Sequence, residues 1–391
     1  MKTKQLQKNI LTDWQQIKLG GICDIFSGGT PDTTNPDFWG GEINWITPTE
    51  ITRTGKYINL KTEKKITELG LKNSSARLLP KGSLIICTRA TVGECSISTY
   101  PISTNQGFKN LIPKKDTTVD YLYYFVKSIK PKLVKLGSGS TFLEVSKGDI
   151  EKLKINLPPL LEQTRIVSVL ETWDKVIENL NKKIEIKKQI KKGLMQDLLT
   201  GKKRLSVFKD KWEVVMLGNI CDIKTGKKDV NEGNPNGKYP FFTCAKGHTY
   251  SDNYSFDTEA ILIAGNGEVG NCLYYKGKFE AYQRTYVLSN FKKESMYIYQ
   301  YLNYFFQNII NSQKQMGAMP YIKLGMLQEF EIKIPKDLIE QKEIANVLII
   351  TDKEIIELER KLKIIKDQKK YLLNNLITGT IRTPENLSIK T

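Results

Sequence analysis

Two clusters of polar side chains contain the residue types with the clearest chemical use. Their members are Arg89, Thr91, Asn105, Gln106 and Lys109 in the first cluster and Asn266, Glu268, Gln283 and Arg284 in the second. Arg, Asn and Gln can each make two hydrogen bonds to the edge of a guanine or an adenine in the major groove. The clusters are therefore predicted to contact DNA bases, although a solvated loop would contain similar residues. Further candidates for the same role are Ser140, Thr141, Lys246 and His248.

The sequence offers no recognisable catalytic or metal-binding constellation. His248 is its single histidine, so no Ser-His-Asp set can be built, and the acidic residues show no spacing diagnostic of a nuclease. Residues 265–270 match GxGxxG, but a strand-like run follows them where a dinucleotide site requires a helix. Residues 35–38 lack the second proline of a methyltransferase box and are predicted to form a turn. We therefore expect no enzyme activity, no cofactor and no metal in this chain.

Six cysteines are present, and none forms a CxxC pair. Their spacing argues against a zinc site, and the chain has no apparent signal peptide or transmembrane run. A cytoplasmic protein with reduced cysteines in its core is the expected outcome.

One module occurs twice in the chain. The sequence WQQIKLGGICDIFSG, which begins at Trp14, returns 198 residues later as WEVVMLGNICDIKTG, beginning at Trp212. The Val-Gly-Glu-Cys run ending at Cys95 returns 177 residues later as Val-Gly-Asn-Cys ending at Cys272. A repeat of about 180 residues is too long for a solenoid unit and predicts two domains of similar fold.

Positive charge is concentrated on these predicted domains. Of the formal net charge of +18, residues 1–158 contribute +9 and residues 202–336 contribute +6. The intervening segment 159–201 contributes +2 and the C-terminal segment 337–391 contributes +1. A polyanion is therefore the expected partner of the domains, with a generally basic proteome as the alternative explanation.

Two segments have the heptad periodicity of a coiled coil. Apolar residues recur at steps of three and four through residues 159–201 and 337–379. Each segment follows a proline-containing turn and ends at Thr-Gly, and about 40 residues at 1.5 Å each make a rod of roughly 60 Å. The predicted seam consists of Ile166, Leu170, Trp173, Ile177, Leu180, Ile184, Leu194, Leu198, Ile344, Leu348, Ile355, Leu358, Leu362, Ile365, Leu372 and Leu376.

The rods are expected to pair with each other, because each seam would otherwise stay exposed. An internal pseudo-two-fold relation between the halves would make the pair antiparallel. Strand-like runs at 84–87 and 261–264 and helical runs at 121–129 and 297–310 predict α+β domains over 1–158 and 202–336. Residues 380–391 are expected to form a tail.

Several motifs resemble the specificity subunits of type I restriction-modification systems. They are WxxxxLGxIxDIxSGGTPxxxNPxxWGG at 14–41, LPxGSLI at 79–85 and PPLxEQxRI at 158–166. The order of domain, helix, domain and helix extends the resemblance over nearly the whole chain. The second domain departs from the pattern at 227–237, where the GGTP stretch is replaced, and this implies a different target sequence.

The resemblance implies a DNA-recognition subunit without catalytic activity. Each target-recognition domain would bind one half of an asymmetric, bipartite double-stranded DNA site, and the helices would set the spacing. Two methyltransferase (M) subunits would bind the helices, restriction (R) subunits would join that complex, and no membrane would be involved. S-adenosylmethionine, ATP and Mg would belong to the partner subunits.

Two other classes of protein remain as alternatives. A nuclease or methyltransferase that acts alone is disfavoured by the missing cofactor loop and the single histidine. A nonspecific scaffold on DNA would bind random duplex as well as any one sequence. Methylation by the isolated chain would favour the first alternative, and competition by random duplex would favour the second.

Overall fold

The structure, a computed structural model, describes residues 13–59, 61–137, 144–306, 309–310 and 321–387. The chain divides into two compact units. The first unit comprises Met1–Asn179 and Leu362–Thr391, and the second comprises Leu180–Lys361. Each unit therefore contains one globular domain and a part of each long helix.

The first domain contains ten strands and six short helices within the described residues. Its strands are β1 (Gln15–Lys18), β2 (Cys23–Ser27), β3 (Trp39–Ile46), β4 (Tyr57–Ile58), β5 (Lys64–Ile66), β6 (Leu84–Cys87), β7 (Cys95–Ser98), β8 (Ser103–Thr104), β9 (Phe108–Pro113) and β10 (Lys154–Leu157). Its helices are α1 (Leu19–Ile22), α2 (Pro48–Ile51), α3 (Glu68–Lys72), α4 (Val119–Ser128), α5 (Lys130–Gly137) and α6 (Lys147–Lys152). The first long helix, α7 (Leu160–Leu199), follows β10.

The second domain repeats this order with fewer elements. Its strands are β11 (Glu213–Met216), β12 (Asp222–Thr225), β13 (Tyr239–Phe242), β14 (His248–Ser251), β15 (Phe256–Ala264), β16 (Cys272–Ala281), β17 (Thr285–Ser289) and β18 (Glu331–Ile334). Its helices are α8 (Leu217–Ile220), α9 (Ser295–Tyr301) and α10 (Leu324–Gln328), and the second long helix, α11 (Leu338–Thr378), completes the chain. The predicted helix over 297–310 is thus shorter as an α-helix and continues as a π-helical turn over Leu302–Phe306.

Each domain is built on one main sheet. The strand order is β2-β9-β6-β7-β4 in the first domain and β12-β17-β15-β16-β13-β14 in the second. A smaller sheet, β5-β3-β8, is found in the first domain, and the ribbons β1-β10 and β11-β18 lead to the long helices. The α+β fold predicted for both domains is confirmed.

The central strands are apolar because both of their faces are covered. In β6, Leu84 and Ile86 pack into the cluster that includes α4 and the long helices, while Ile85 packs into a second cluster on the other face. In β15, Ile261 and Leu262 separate in the same way. The alternation of the two faces follows from the two-residue period of a strand.

The long helices pack against each other inside each unit. In the first unit, Ile166 and Leu170 share a core cluster with Leu376. In the second, Met195 and Leu198 share one with Ile344, Ala345 and Leu348. Later residues of α7 thus meet earlier residues of α11, which confirms the predicted antiparallel pairing.

Every residue of the predicted seam is buried or half-buried. Ion pairs flank the seam, with Lys191 Nζ 2.6 Å from Asp352 Oδ1 in the second unit. The equivalent pair in the first unit joins Lys369 to Asp174, 178 residues away from each partner. The repeat therefore extends to the polar contacts between the helices.

A buried carboxylate ties the first domain to both long helices. Glu162, at the start of α7, is 2% exposed. Its Oε2 accepts a hydrogen bond from Trp14 Nε1 at 2.9 Å, and Arg382, beyond the end of α11, donates to both carboxylate oxygens at 2.6 and 2.7 Å. Arg382 also donates to both oxygens of Asp13, at 2.8 and 2.9 Å. These hydrogen bonds hold the pKa of Asp13 below its ordinary value.

The second unit contains the same arrangement. Arg204, beyond the end of α7, donates to both oxygens of the buried Glu340 at 2.6 and 3.0 Å. Trp212 Nε1 lies 3.4 Å from the same carboxylate. The residues after each long helix therefore complete the unit that contains the start of the other long helix.

All six cysteines are buried and none forms a disulfide. Burial raises the pKa of Cys87 to about 11 and the pKa of Cys23, Cys95, Cys221 and Cys272 to about 12. No three His, Cys, Asp or Glu side chains within the described residues lie close enough together to hold a metal ion. In the described part of the chain, no helix is long and apolar enough to cross a membrane.

Replacement of Arg382 by Met tests the tie between domain and helices. Loss of the guanidinium leaves Glu162 as a buried carboxylate with one neutral donor, which costs about 2 kcal/mol. We expect faster hydrogen exchange at the Leu170 amide, by about thirtyfold, and no change at its counterpart Leu348. Asp13→Asn, which removes only an exposed partner, is the control. Equal loss of protection at both leucines would contradict this account.

Candidate nucleic-acid interface

Three turns meet at one end of the main sheet in the first domain. They are residues 28–30 after β2, residues 88–94 between β6 and β7, and residues 105–107 before β9. Gly29 N donates to Thr104 O at 2.9 Å, and Thr88 N donates to Gly107 O at 2.8 Å. The predicted residues of the first cluster therefore share one surface, although they lie on two turns.

A glycine in each domain allows these turns to approach closely. A Cβ atom on Gly28 would lie 1.8 Å from Asn105 O, and one on Gly226 would lie 1.9 Å from Ala281 O. Both distances are impossible for a side chain, because they are far below van der Waals contact. These two glycines are the last residues of the repeated 15-residue sequence, so the repeat includes this approach.

Arg89 and Lys109 share one carboxylate, which belongs to Glu144. Arg89 donates from Nε and Nη2 to Glu144 Oε2 at 2.8 and 2.6 Å, and Lys109 Nζ lies 2.9 Å from Oε1. Burial raises the pKa of Glu144, but the hydrogen bonds from Arg89 and Lys109 outweigh burial and leave it below its ordinary value. The guanidinium is therefore oriented before any ligand arrives, and its side chain is 46% exposed.

The other predicted residues of the first cluster differ in exposure. Gln106 is exposed and accepts a hydrogen bond from the Thr30 hydroxyl. Asn105 is half-buried, and its Oδ1 accepts from Gly107 N at 2.9 Å. Thr91 is half-buried and Lys109 is buried. The candidates Ser140 and Thr141 lie outside the described residues.

The second domain presents the equivalent turns at the equivalent end of its sheet. They are residues 226–229, 265–271 and 282–284, joined by a fourth segment, 243–247. Gly265 N donates to Arg284 O at 2.9 Å, and Glu268 N donates to Cys244 O at 3.0 Å. Residues 265–270 form the turn of the β15-β16 hairpin, in agreement with their interpretation as a hairpin.

The predicted side chains of the second domain lie on this surface. Gln283, Arg284, Glu268, Lys246 and His248 are exposed, and Asn266 is half-buried. Gln283 Nε2 donates to Asp229 Oδ2 at 3.3 Å. The His248 ring lies 5.4 Å from the Phe242 ring and 5.2 Å from the Tyr250 ring.

The two domains use different side chains on the same scaffold. Val145 N donates to Thr88 O at 3.1 Å, and Ile322 N donates to Gly265 O at the same distance. This match makes Asn266 the counterpart of Arg89, Tyr286 that of Lys109 and Tyr321 that of Glu144. An ion cluster in the first domain is therefore replaced by amide and phenol groups in the second.

Sequence reasoning missed Glu144 and Asp229, the two acidic partners at this surface. Glu144 is separated from Arg89 by 55 residues and Asp229 from Gln283 by 54. No local pattern marks either pair. The only available signal was the presence of a carboxylate among many lysines in each domain.

The fold and this surface define a protein with two related recognition domains on paired helices. The family model described as "Type I restriction modification DNA specificity domain" matches residues 12–191 and 209–366. The chain belongs to this family, the specificity subunits of type I restriction-modification systems, whose members recognise DNA without catalysing a reaction.

Relatives of full length support this assignment. The chain is 28% identical to the type I restriction enzyme MjaIX specificity subunit of Methanocaldococcus jannaschii over 410 residues, which covers 95% of this chain and 94% of that protein. It matches the S subunit of M. genitalium with a TM-score of 0.62 at 17% identity over 93% of this chain and 96% of that one. A second solved chain, from work on complex assembly and conformational transition of the type I R-M system, gives a TM-score of 0.60 at 18% identity over 95% and 99%.

Glu144→Gln tests the ion cluster. The change removes the charge that balances the buried Lys109, so we expect a loss of stability of about 2 kcal/mol at pH 7. The folded-state pKa of Glu144 is depressed, so its contribution is present above the unfolded pKa and is lost as the pH falls through the folded pKa. Urea unfolding from pH 7 downward should show the two proteins converging in the acid range, below about pH 4. A stability difference that stays constant to pH 2 would contradict the assignment.

Proposed function

We propose that each domain binds one half of an asymmetric, bipartite site on double-stranded DNA through the surface described above. The observation that supports this most is the exchange of side chains on one scaffold. Arg89, Lys109 and Glu144 in one domain correspond to Asn266 and two tyrosines in the other. Two domains that differ in this way would recognise two different sequences.

Long-range charge supports the same proposal. The domains contribute +9 and +6 to the net charge of +18, so lysines and arginines around each surface would supply phosphate contacts. Those contacts give affinity and register without selecting a sequence. Arg89, which is held by Glu144, is suited to a guanine edge because its orientation is already fixed.

We further propose that the helices bind two methyltransferase subunits at equivalent places. Exposed apolar residues occur at matching positions of the two helices, 178 residues apart. The matching residues are Leu160 and Leu338, Leu161 and Ile339, and Ile186 and Ile364. Such pairs would give two similar contact sites, and restriction subunits would join through the methyltransferases. S-adenosylmethionine, ATP and Mg would be bound by those partners.

The proposed division of the DNA site predicts separable effects of mutations. Arg89→Ala with Gln106→Ala should weaken or relax recognition of one half-site, and Gln283→Ala with Arg284→Ala should affect only the other. Each lost bidentate contact should cost about 1 to 3 kcal/mol. Binding of duplexes that carry substitutions in one half at a time measures this, and each double variant is the control for the other. Equal weakening on every sequence would assign these residues to phosphate contacts or to structural support.

The helices are proposed to set the distance between the half-sites. A complete heptad inserted after Leu180 and another after Leu358 would keep the seam in phase and add about 10 Å. Because a base pair advances about 3.4 Å, the preferred gap should grow by about three base pairs while both half-sites keep their sequences. An insertion in one helix only should destabilise the protein. Methylation of the original spacing by the doubly extended protein in its complex would refute this role.

A further inference from the structure

The two units differ in how one sheet edge is covered. In the first unit, β4 runs parallel to β7 and covers its outer edge. Ile97 N donates to Lys56 O at 2.8 Å as part of this contact. The chain reaches this edge through the long connection from β3 to β6, residues 47–83.

The residue just before β4 fills a site beside the long helices. Lys56 is 12% exposed at its side chain, and its Nζ lies 2.6 Å from both Asp120 Oδ1 and Glu171 Oε1. The same Nζ lies 5.8 Å from the ring centroid of Tyr123 and 5.0 Å from that of Tyr124. Two carboxylates and two rings therefore enclose this ammonium group.

The counterparts of these four residues can be identified from shared contacts. Thr118 N donates to Gln163 Oε1 at 2.9 Å, and Glu294 N donates to Gln341 Oε1 at 2.9 Å. With α4 and α9 aligned in this way, the helix residues that enclose Lys56 correspond to Met296, Tyr299 and Gln300. The α7 residue Glu171 corresponds to Ile349 of α11.

All four counterparts line an open cavity of about 680 Å³ in the second unit. The two carboxylates of the first unit are replaced there by the apolar residues Met296 and Ile349, and Met195 and Ile356 extend the apolar lining. The place that Lys56 fills in one unit is thus open in the other, and its chemistry has changed from anionic to apolar.

The neighbouring sheet edge is open as well. Strand β16 pairs with β13 only at Glu280 and Ala281. Along residues 273–276, which correspond to the part of β7 covered by β4, no strand of the described residues pairs on that side. The connection from β13 to β15, residues 243–255, is shorter and forms β14 on the far side of β13.

Polar groups around the cavity specify what could fill it. Gln300 is 1% exposed, and its Oε1 is buried without a hydrogen-bond partner in the described structure. Its amide nitrogen donates to Asp352 Oδ2 at 3.2 Å. Lys192 and Lys353, both exposed, contribute to the cavity wall. An extended peptide with a large apolar side chain would fill the cavity, its N–H groups could reach an acceptor, and acidic neighbours would suit the two lysines.

We propose that the cavity and the open β16 edge receive an extended apolar segment, flanked by acidic residues, from one of the two methyltransferase subunits. The segment would add to β16 as β4 adds to β7 and would insert an apolar side chain where Lys56 lies in the first unit. The proposal rests on the binding of methyltransferase subunits proposed above. It makes the two binding events unequal, because the first unit fills this site with its own chain.

The double variant Met296→Asp with Ile349→Glu tests the proposal, because it gives the cavity the acidic lining of the first unit. Both carboxylates would face an open, hydrated cavity, so folding should be preserved. Native mass spectrometry should find two methyltransferase subunits on the wild-type chain and one on the variant under the same conditions. The second binding event should weaken at least tenfold. Val207→Asp, at a residue 78% exposed in the same unit, is the control and should retain two copies.

Hydrogen exchange on the wild-type chain provides a test that needs no variant. Addition of the methyltransferase subunit should slow exchange of the amides in residues 273–276, by tenfold or more. Unchanged exchange there, or full binding of two copies by the double variant, would overturn the inference while leaving methyltransferase binding intact. Failure of the wild-type chain to bind any methyltransferase would instead refute the proposed function. Protection of 273–276 by self-association, without the partner, would assign the edge to a second copy of this chain and also overturn the inference.

Discussion

The architecture depends on a buried carboxylate at the start of each long helix. Glu162 and Glu340 are 2% and 0% exposed, so neither can obtain its hydrogen bonds from water. Their partners are an indole N–H from the domain and a guanidinium from the residues that follow the other long helix. One requirement for charge pairing therefore fixes three segments that are far apart in sequence. It also explains why the residues beyond α11 belong to the first unit.

This arrangement separates the parts of the protein that must stay constant from those that can vary. The adjacent glutamine, Gln163, donates to Pro158 O and Asp116 O, and Gln341 donates to Pro335 O at the same point of the repeat. These contacts lie where domain and helix meet. The turns at the end of the main sheet take no part in them, so their side chains can change without loss of the frame. The same scaffold can thus present an ion cluster in one domain and amide and phenol groups in the other.

Much of the frame could be predicted from sequence because it depends on local patterns. Heptad spacing gave both long helices, and the repeated Trp-to-Gly sequence gave two domains with a shared fold. The pairing of Arg89 with Glu144 could not be predicted, because 55 residues separate the partners and their loops meet only in the folded chain. The open edge of β16 was equally hidden, since it depends on a connection that is shorter in the second domain than in the first. Length differences between repeats show that something has changed, but not which surface becomes open.

The central claim is that this chain determines which DNA sequence its partners methylate. The most direct measurement is a methylome of the source cell with the gene intact and with the gene deleted. The account predicts one asymmetric bipartite motif, with two specified half-sites and an unspecified gap of fixed length, whose methylation disappears on deletion and returns with the gene. Methylation that is unchanged by deletion, or a lost motif that is continuous and symmetric, would contradict it.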